Sequence, residues 1–276
     1  MSLLSRAWAS VRLIHHAPAA AVTLLSGALG AILLSQSDSG LDARWLATVA
    51  AVAGSQVFTG ATNDLVDRGR DQAVGRASKP LTSGELSPEG ALWVASGGLA
   101  LQLAASLQLG TVPLVLGAAA TLSALAYNLW LSRTPLSVLP YLVSFGLLPL
   151  WVAAGVGVDL SRVLPAVPLV APFAAAAHLV NVVRDFEGDR RLGSRNLAQL
   201  LGQRAAAWTA WSLAMAVGLG VGLALTLGGR TSAPSLLIGL LGLAAVAQGA
   251  GNPRRLWYGM LVAAVAWTVA WALSTG

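Results

Sequence analysis

The 276-residue sequence contains no cysteine, which excludes disulfides and any thiolate-based metal or redox centre. It has three histidines, His15, His16 and His178, too few for a histidine-rich metal site. Any metal would therefore take oxygen ligands, the chemistry of magnesium, calcium or manganese. Charge is scarce too, at 10% of the chain against roughly 25% in a soluble domain. No Walker-type glycine loop is present, so a P-loop nucleotide site is excluded. The net charge of +6 comes from residues scattered through short loops, with no basic helix and no aromatic–basic platform. Nucleic acid is therefore not an expected partner.

What the chain has in abundance is apolar surface. It is 56% hydrophobic, with a mean hydropathy of +0.70. That much apolar surface cannot be packed inside a core of this size, so the expectation is an all-α polytopic membrane protein whose partner is the lipid bilayer. A span takes about 20 mostly apolar residues. Nine segments qualify, near 17–35, 44–63, 90–110, 112–131, 136–157, 163–183, 205–228, 233–250 and 256–274. The first follows Arg12–His16 without a clear cleavage site and reads as a span rather than a removed leader. With nine spans, 14 of the 17 basic residues fall on one side. Arg44, Arg162 and Arg230 fall on the other. The positive-inside rule then places the N-terminus in the cytoplasm, as in a bacterial or other cell inner membrane, and the C-terminus outside.

Carboxylates are costly near a bilayer, and here they are clustered. Eight of the eleven acidic residues lie either between Asp64 and Glu89 or between Asp185 and Asp189. Both groups fall on the cytoplasmic side, each directly after a span. Asn63, Asp67 and Asp71 recur every four residues, which on a helix shares a face, with Asp64 one step around. Asn181, Asp185 and Asp189 repeat the spacing. Like charges at that separation repel, and a divalent cation relieves the repulsion. Magnesium favours few carboxylates completed by water and phosphate oxygens. Two such stripes point to a magnesium-bridged diphosphate site. Nearby cations suit it: Arg12, Arg76, Lys79, Arg133, Arg184 and Arg195 can neutralise charge growing on a leaving group. The bland alternative is a pair of solvated loop caps with surface ion pairs. The repeated spacing argues against it.

These residues also carry a resemblance. Asn63-Asp64-x-x-Asp67-x-x-x-Asp71 resembles the first signature of the UbiA superfamily of intramembrane prenyltransferases, and Asp185-x-x-x-Asp189-x-x-x-Gly193 resembles the second. The stretch Gly75 to Ser87 and the pairs Tyr127-Asn128 and Arg133-Thr134-Pro135 are similar to that family as well. The resemblance spans essentially the whole chain, residues 1–276, as a single domain. It implies nine helices in a ring around a central cavity. It implies two magnesium ions held by Asp64, Asp67, Asp71, Asp185 and Asp189, binding the diphosphate of an isoprenyl donor. Asn63, Asn181, Arg76, Lys79, Arg133, Arg184 and Arg195 would contact substrate, and Tyr127 would lie near the ionising carbon. A small, aromatic or other, acceptor would then capture an allylic cation. Residues 181–198 resemble the naphthoate branch, whereas the first motif resembles the hydroxybenzoate, homogentisate or archaeal glycerol-lipid branches, so the resemblance names no single acceptor.

Two competing readings share the same composition. A UbiA-type terpene cyclase uses the same ionising residues and captures the cation with the substrate's own alkene. A transporter or lipid-binding scaffold needs neither magnesium nor the aspartates, and no inverted repeat with interrupted helices supports it. His15 and His16 read as interface histidines, with contact to an acceptor as the sharper option. His178 either lines the cavity or packs. Trp8, Trp45, Trp93, Trp257 and Trp271 read as interface anchors. Trp130, Trp151 and Phe173 are candidates for facing the cation. Glu187 reads as solvated.

Overall fold

The computed structural model describes residues 3–228 and 232–274. Arg230 and the C-terminal residue Gly276, both assigned above to the outer side, lie outside the described residues. The described residues are helical, with no strand among them. The order is α1 (Leu3–Leu13), α2 (His16–Ser35), α3 (Ala43–Ala73), α4 (Pro80–Ser83), α5 (Pro88–Leu109), α6 (Thr111–Leu129), α7 (Leu139–Val156) and α8 (Val167–Arg184). There follow α9 (Phe186–Arg191), α10 (Leu197–Leu201), α11 (Gln203–Leu227), α12 (Ala233–Ala247) and α13 (Pro253–Ser274).

Each apolar segment of the sequence coincides with a helix. Seven stretches are long and apolar enough to cross a membrane: α2, α5, α6, α7, Leu160–Arg184, α11 and α13. The protein is an integral membrane protein. The expected nine spans included α3 and α12, which do not meet that measure. The 15 residues of α12 rise about 22 Å, short of a hydrocarbon core of roughly 30 Å. In α3, Arg44, Ser55, Gln56 and the acidic cluster dilute the apolar run. Its 31 residues extend about 46 Å, longer than the core is thick.

The chain divides into two compact units, Met1–Trp130 with Leu147–Arg162, and Leu131–Gly146 with Val163–Gly276. In the first, α3 is the central helix. It meets α5 backbone to backbone through small residues, as membrane helices do. A Cβ on Gly54 would lie 2.6 Å from the Gln102 nitrogen, and one on Gly98 would lie 2.7 Å from the Phe58 nitrogen. A buried polar chain ties α6 to the same pair. Gln102 donates to Thr121 Oγ1 at 2.8 Å and to the Gly117 carbonyl at 3.1 Å, and Thr121 shares a 2.8 Å hydrogen bond with Ser55. Asp42 caps α3 by accepting from the Trp45 amide at 2.9 Å. The Trp45 indole donates to the Gly27 carbonyl of α2 at 2.9 Å. Gly98→Leu is expected to cost about 1–3 kcal/mol, because overpacking forces the helices apart. Gly97→Leu, where a Cβ meets open space, is the matched control. Thermal unfolding in detergent checks the difference, and equal midpoints contradict this packing.

In the second unit α8, α11 and α13 enclose a core of Leu179, Val183, Ala210, Ala214, Met260 and Trp267. The Trp267 indole donates to the Gly239 carbonyl of α12 at 3.1 Å. Small alanines on α11 let large side chains of its neighbours interlock. Large apolar side chains remain on the outside, Trp93 at 78% exposure being the extreme. In a membrane protein these contact lipid.

Candidate active site

The first acidic cluster occupies the end of α3, and the structure partitions it. Asp64 and Asp71 are buried, at 2% and 3% exposure. Between them sits the ammonium of Lys79, 2.7 Å from Asp64 Oδ1 and 2.7 Å from Asp71 Oδ2. The four-residue spacing groups Asp71 with Asn63 and Asp67 instead. At 3.6 residues per turn, seven residues fall about 20° short of two full turns, so Asp64 and Asp71 nearly eclipse. Asp67 and Asn63 lie roughly 50° and 90° off that face. They form their own group. The Asn63 amide donates to Asn128 Oδ1 at 3.2 Å and, at 3.5 Å, to Asp67 Oδ2. Asn128 is fixed in turn by donating to the Thr59 carbonyl at 2.8 Å and to Thr62 Oγ1 at 3.0 Å. Tyr127 is half-buried beside it in the last turn of α6.

Two local devices bring the cations in. The Val74 and Gly75 turn ends α3, with Gly75 at φ 73°, and the Arg76 amide donates back to the Asp71 carbonyl at 2.9 Å. That return places Arg76 Nη1 3.2 Å from Asp71 Oδ1. Lys79 is the residue before α4, whose Pro80 at the first helical position fixes its start. Burial opposes the Lys79 charge, yet the Asp64 and Asp71 carboxylates outweigh it and hold its pKa above the ordinary lysine value. The loop is anchored from α1. Arg12 pairs with Glu85 and donates to the Ser78 carbonyl at 3.2 Å, and Ser83 also donates to Glu85, at 2.9 Å. His15 Nε2 reaches Asp64 Oδ1 at 3.0 Å.

The second cluster belongs to the other unit, and its stripe is not continuous. α8 ends at Arg184, and Asp185 breaks the helix before α9 begins at Phe186. The Asp185 amide bonds three residues back to Val182, a tightened last turn. Aspartate is a weak helix former in that position, and the buried Phe186 ring anchors the restart. Asn181 and Asp185 are exposed, whereas Asp189 is half-buried. Asn196, with no exposed surface, donates its amide to Asp189 Oδ2 at 3.0 Å and caps α10 by accepting from the Gln199 amide at 3.0 Å. The Arg195 amide donates to the Arg133 carbonyl at 2.9 Å, so Arg133 and Arg195 are brought beside the same loop. Arg184 lies against the Trp257 ring, 5.8 Å from its centroid. Exposed Glu187 pairs with Arg190 at 2.8 Å.

Several candidates resolve as packing. His178 is buried, 3.1 Å from Ser137 Oγ, with its ring 4.5 Å from that of Tyr141. Trp151 fills the space opposite Gly117, and Phe173 meets Trp267 edge-on at 5.2 Å. Trp130 is exposed.

The donor set offered by Asp64, Asp67, Asp71 and Asn63 is all oxygen, which suits a hard divalent cation. Among the described residues no group of three His, Asp or Glu side chains converges to hold a metal unaided. A cation bound here would complete its shell with water and substrate oxygens, as magnesium commonly does.

A sequence model of the UbiA prenyltransferase family matches residues 23–255. The chain belongs to the UbiA prenyltransferase family. It is 31% identical over 165 residues to digeranylgeranylglyceryl phosphate synthase of Natronomonas pharaonis. That match covers 58% of this chain and 59% of the relative, less than two thirds of its length. Among solved structures, an apo UbiA homologue from Aeropyrum pernix K1 is similar with a TM-score of 0.69 at 21% identity, over 91% of this chain and 95% of that one. A UbiA homologue from Archaeoglobus fulgidus bound to GPP and Mg2+ has a TM-score of 0.69 at 17% identity, over 97% of this chain and 100% of the other. These likenesses establish the UbiA fold. Two asparagines that hold the acidic clusters, one in each unit, are weakly marked in the sequence. Nothing in the residue spacing marks Asn196, and Asn128 is marked only by its place in the Tyr127-Asn128 pair.

Proposed function

We propose that this UbiA-family protein is a magnesium-dependent intramembrane prenyltransferase and that residues 1–276 serve as a single functional domain. It would transfer a prenyl group from a polyprenyl diphosphate to a small acceptor. The observation that carries this reading is the buried Asp64–Asp71 pair at the end of α3, with the Lys79 ammonium between its carboxylates. Two buried carboxylates are not kept side by side without positive charge. The Archaeoglobus fulgidus homologue, bound to Mg2+ with GPP in one structure and with DMAPP in another, supports the assignment of metal and donor.

In this reading Asp64, Asp67, Asp71, Asp185 and Asp189 are the metal ligands, for two ions. Magnesium, when bound, supplies positive charge to the diphosphate. Arg76, Lys79, Arg133, Arg184 and Arg195 bind its oxygens, with Asn63 and Asn181 as neutral contacts. Cations held in place before the reaction stabilise charge that grows on the leaving oxygen at no cost in reorganisation. The C1–O bond breaks, and its electron pair leaves with the diphosphate. Tyr127 lies near the allylic cation that remains. The acceptor donates a lone pair or π-pair to C1 and loses a proton. The acceptor is small, aromatic or of the phosphoglyceryl kind that the Natronomonas enzyme's name indicates. The N-terminus and the loops carrying both clusters face the cytoplasm, and the C-terminus lies outside.

The test is a panel of prenyl diphosphates of increasing length, each with and without aromatic and phosphoglyceryl acceptors, read by mass spectrometry of the products. An acceptor-dependent prenylated product is expected. A cyclic hydrocarbon formed without acceptor overturns the transfer reading.

A further inference from the structure

The N-terminal arm ends in a kink that the proposed reaction does not use. α1 stops at Leu13 and α2 restarts at His16, with His15 between them in the left-handed region, at φ 51° and ψ 55°. That conformation is uncommon for a residue with a side chain, and it persists only where the surroundings impose it. Two contacts do so. Leu13 has no exposed surface and packs with Ala61, Leu81, Ala91 and Ala95. The Ile14 carbonyl lies on α3 at Gly60, where a Cβ would come within 2.7 Å of its oxygen. Gly60 is one helical turn before Asp64, so the kink delivers the His15 ring to that carboxylate.

Asp64 can only accept a hydrogen bond when ionised, so the ring donates from Nε2 to Oδ1, at 3.0 Å. Lys79 reaches the same oxygen at 2.7 Å, but from a different support. Lys79 rides on a loop bounded by Gly75 and Gly84, both at positive φ. His15 is held by a buried wedge against α3. One donor therefore belongs to a loop with glycine at both ends, and the other to the helical scaffold.

We infer that His15 is a positioning residue for Asp64: its Nε2–H fixes the orientation in which that carboxylate meets a divalent cation. This rests on the metal role proposed for Asp64. Partners of a ligating group, although they do not touch the metal, commonly change its affinity by about 10–100-fold when removed. His15→Phe keeps the bulk of the ring and removes the donor. His15→Gln keeps an N–H at similar reach.

Mn2+ is titrated into purified full-length protein in detergent, free metal is read by electron paramagnetic resonance, and the thermal midpoint is recorded for each variant. Asp64→Asn is expected to abolish the site. His15→Phe is expected to weaken Mn2+ binding about tenfold with an unchanged midpoint, and His15→Gln to recover most of the loss. Wild-type affinity in His15→Phe overturns the proposal. So does a loss that glutamine does not rescue, or one that follows a fall in the midpoint. Equal Mn2+ binding by wild type and Asp64→Asn removes the metal role itself, and with it the His15 assignment, a pattern distinct from failure of the histidine alone.

Discussion

Asp64→Asn and Asp71→Asn should each lower the rate of prenyl transfer by about 10²–10³-fold, the loss seen when one preorganised electrostatic group is removed from a reacting site. Both side chains are buried and both touch the Lys79 ammonium. The amide is nearly isosteric, so packing is kept while the charge is lost. Lys79 keeps one carboxylate in either variant, which limits the structural damage. Asp67→Asn is expected to cost less, because Asp67 lies off the Asp64–Asp71 face and is half-buried. Initial rates at saturating magnesium, with elution profiles to confirm folding, decide the matter. A wild-type rate in either buried-site variant contradicts the assignment.

Lys79→Met should destabilise the metal-free protein by about 1–3 kcal/mol, since it removes the charge shared by two buried carboxylates. Asp64 then keeps only His15 and Asp71 only Arg76 among the partners described above. The lysine pKa is raised in the folded protein by Asp64 and Asp71 against the pull of burial. A raised folded pKa means that the ion pair contributes fully below the ordinary lysine value and is lost only as pH rises through the folded one. The effect is therefore present throughout the neutral range. A second consequence follows from linkage: a divalent cation that binds only the folded state should restore the midpoint of Lys79→Met more than it raises that of wild type. Thermal unfolding with and without magnesium measures both. An unchanged midpoint in Lys79→Met contradicts the cation role.

The helices were legible because apolar runs of about 20 residues carry their own signal. All nine expected segments became helices. Seven stretches also meet the measure of length and hydropathy for a span, whereas α12 falls below it in length and α3 in hydropathy. The acidic residues were legible for the opposite reason, since charge beside an apolar run stands out. Their pairing was not, because spacing of four residues and spacing of seven both suit a helix, and the 3.6-residue turn favours Asp64 with Asp71. The break at Asp185 was hidden as well, for an i, i+4 pattern reads the same whether the helix continues or restarts.

The short elements were the hardest to read. α4, α9 and α10 have four, six and five residues, too few for any periodicity to be seen. Yet they place Lys79, Asp189 and Asn196. His15 was read as an interface histidine because nothing local marks a left-handed kink. Its position depends on Gly60, some 45 residues away.

The most direct measurement of the central claim is release of inorganic diphosphate from a prenyl diphosphate by the purified protein in the presence of an acceptor that it prenylates. The account predicts release with magnesium, none after chelation by EDTA, recovery when magnesium is resupplied, and loss in Asp64→Asn. Release that persists in EDTA or in Asp64→Asn contradicts it.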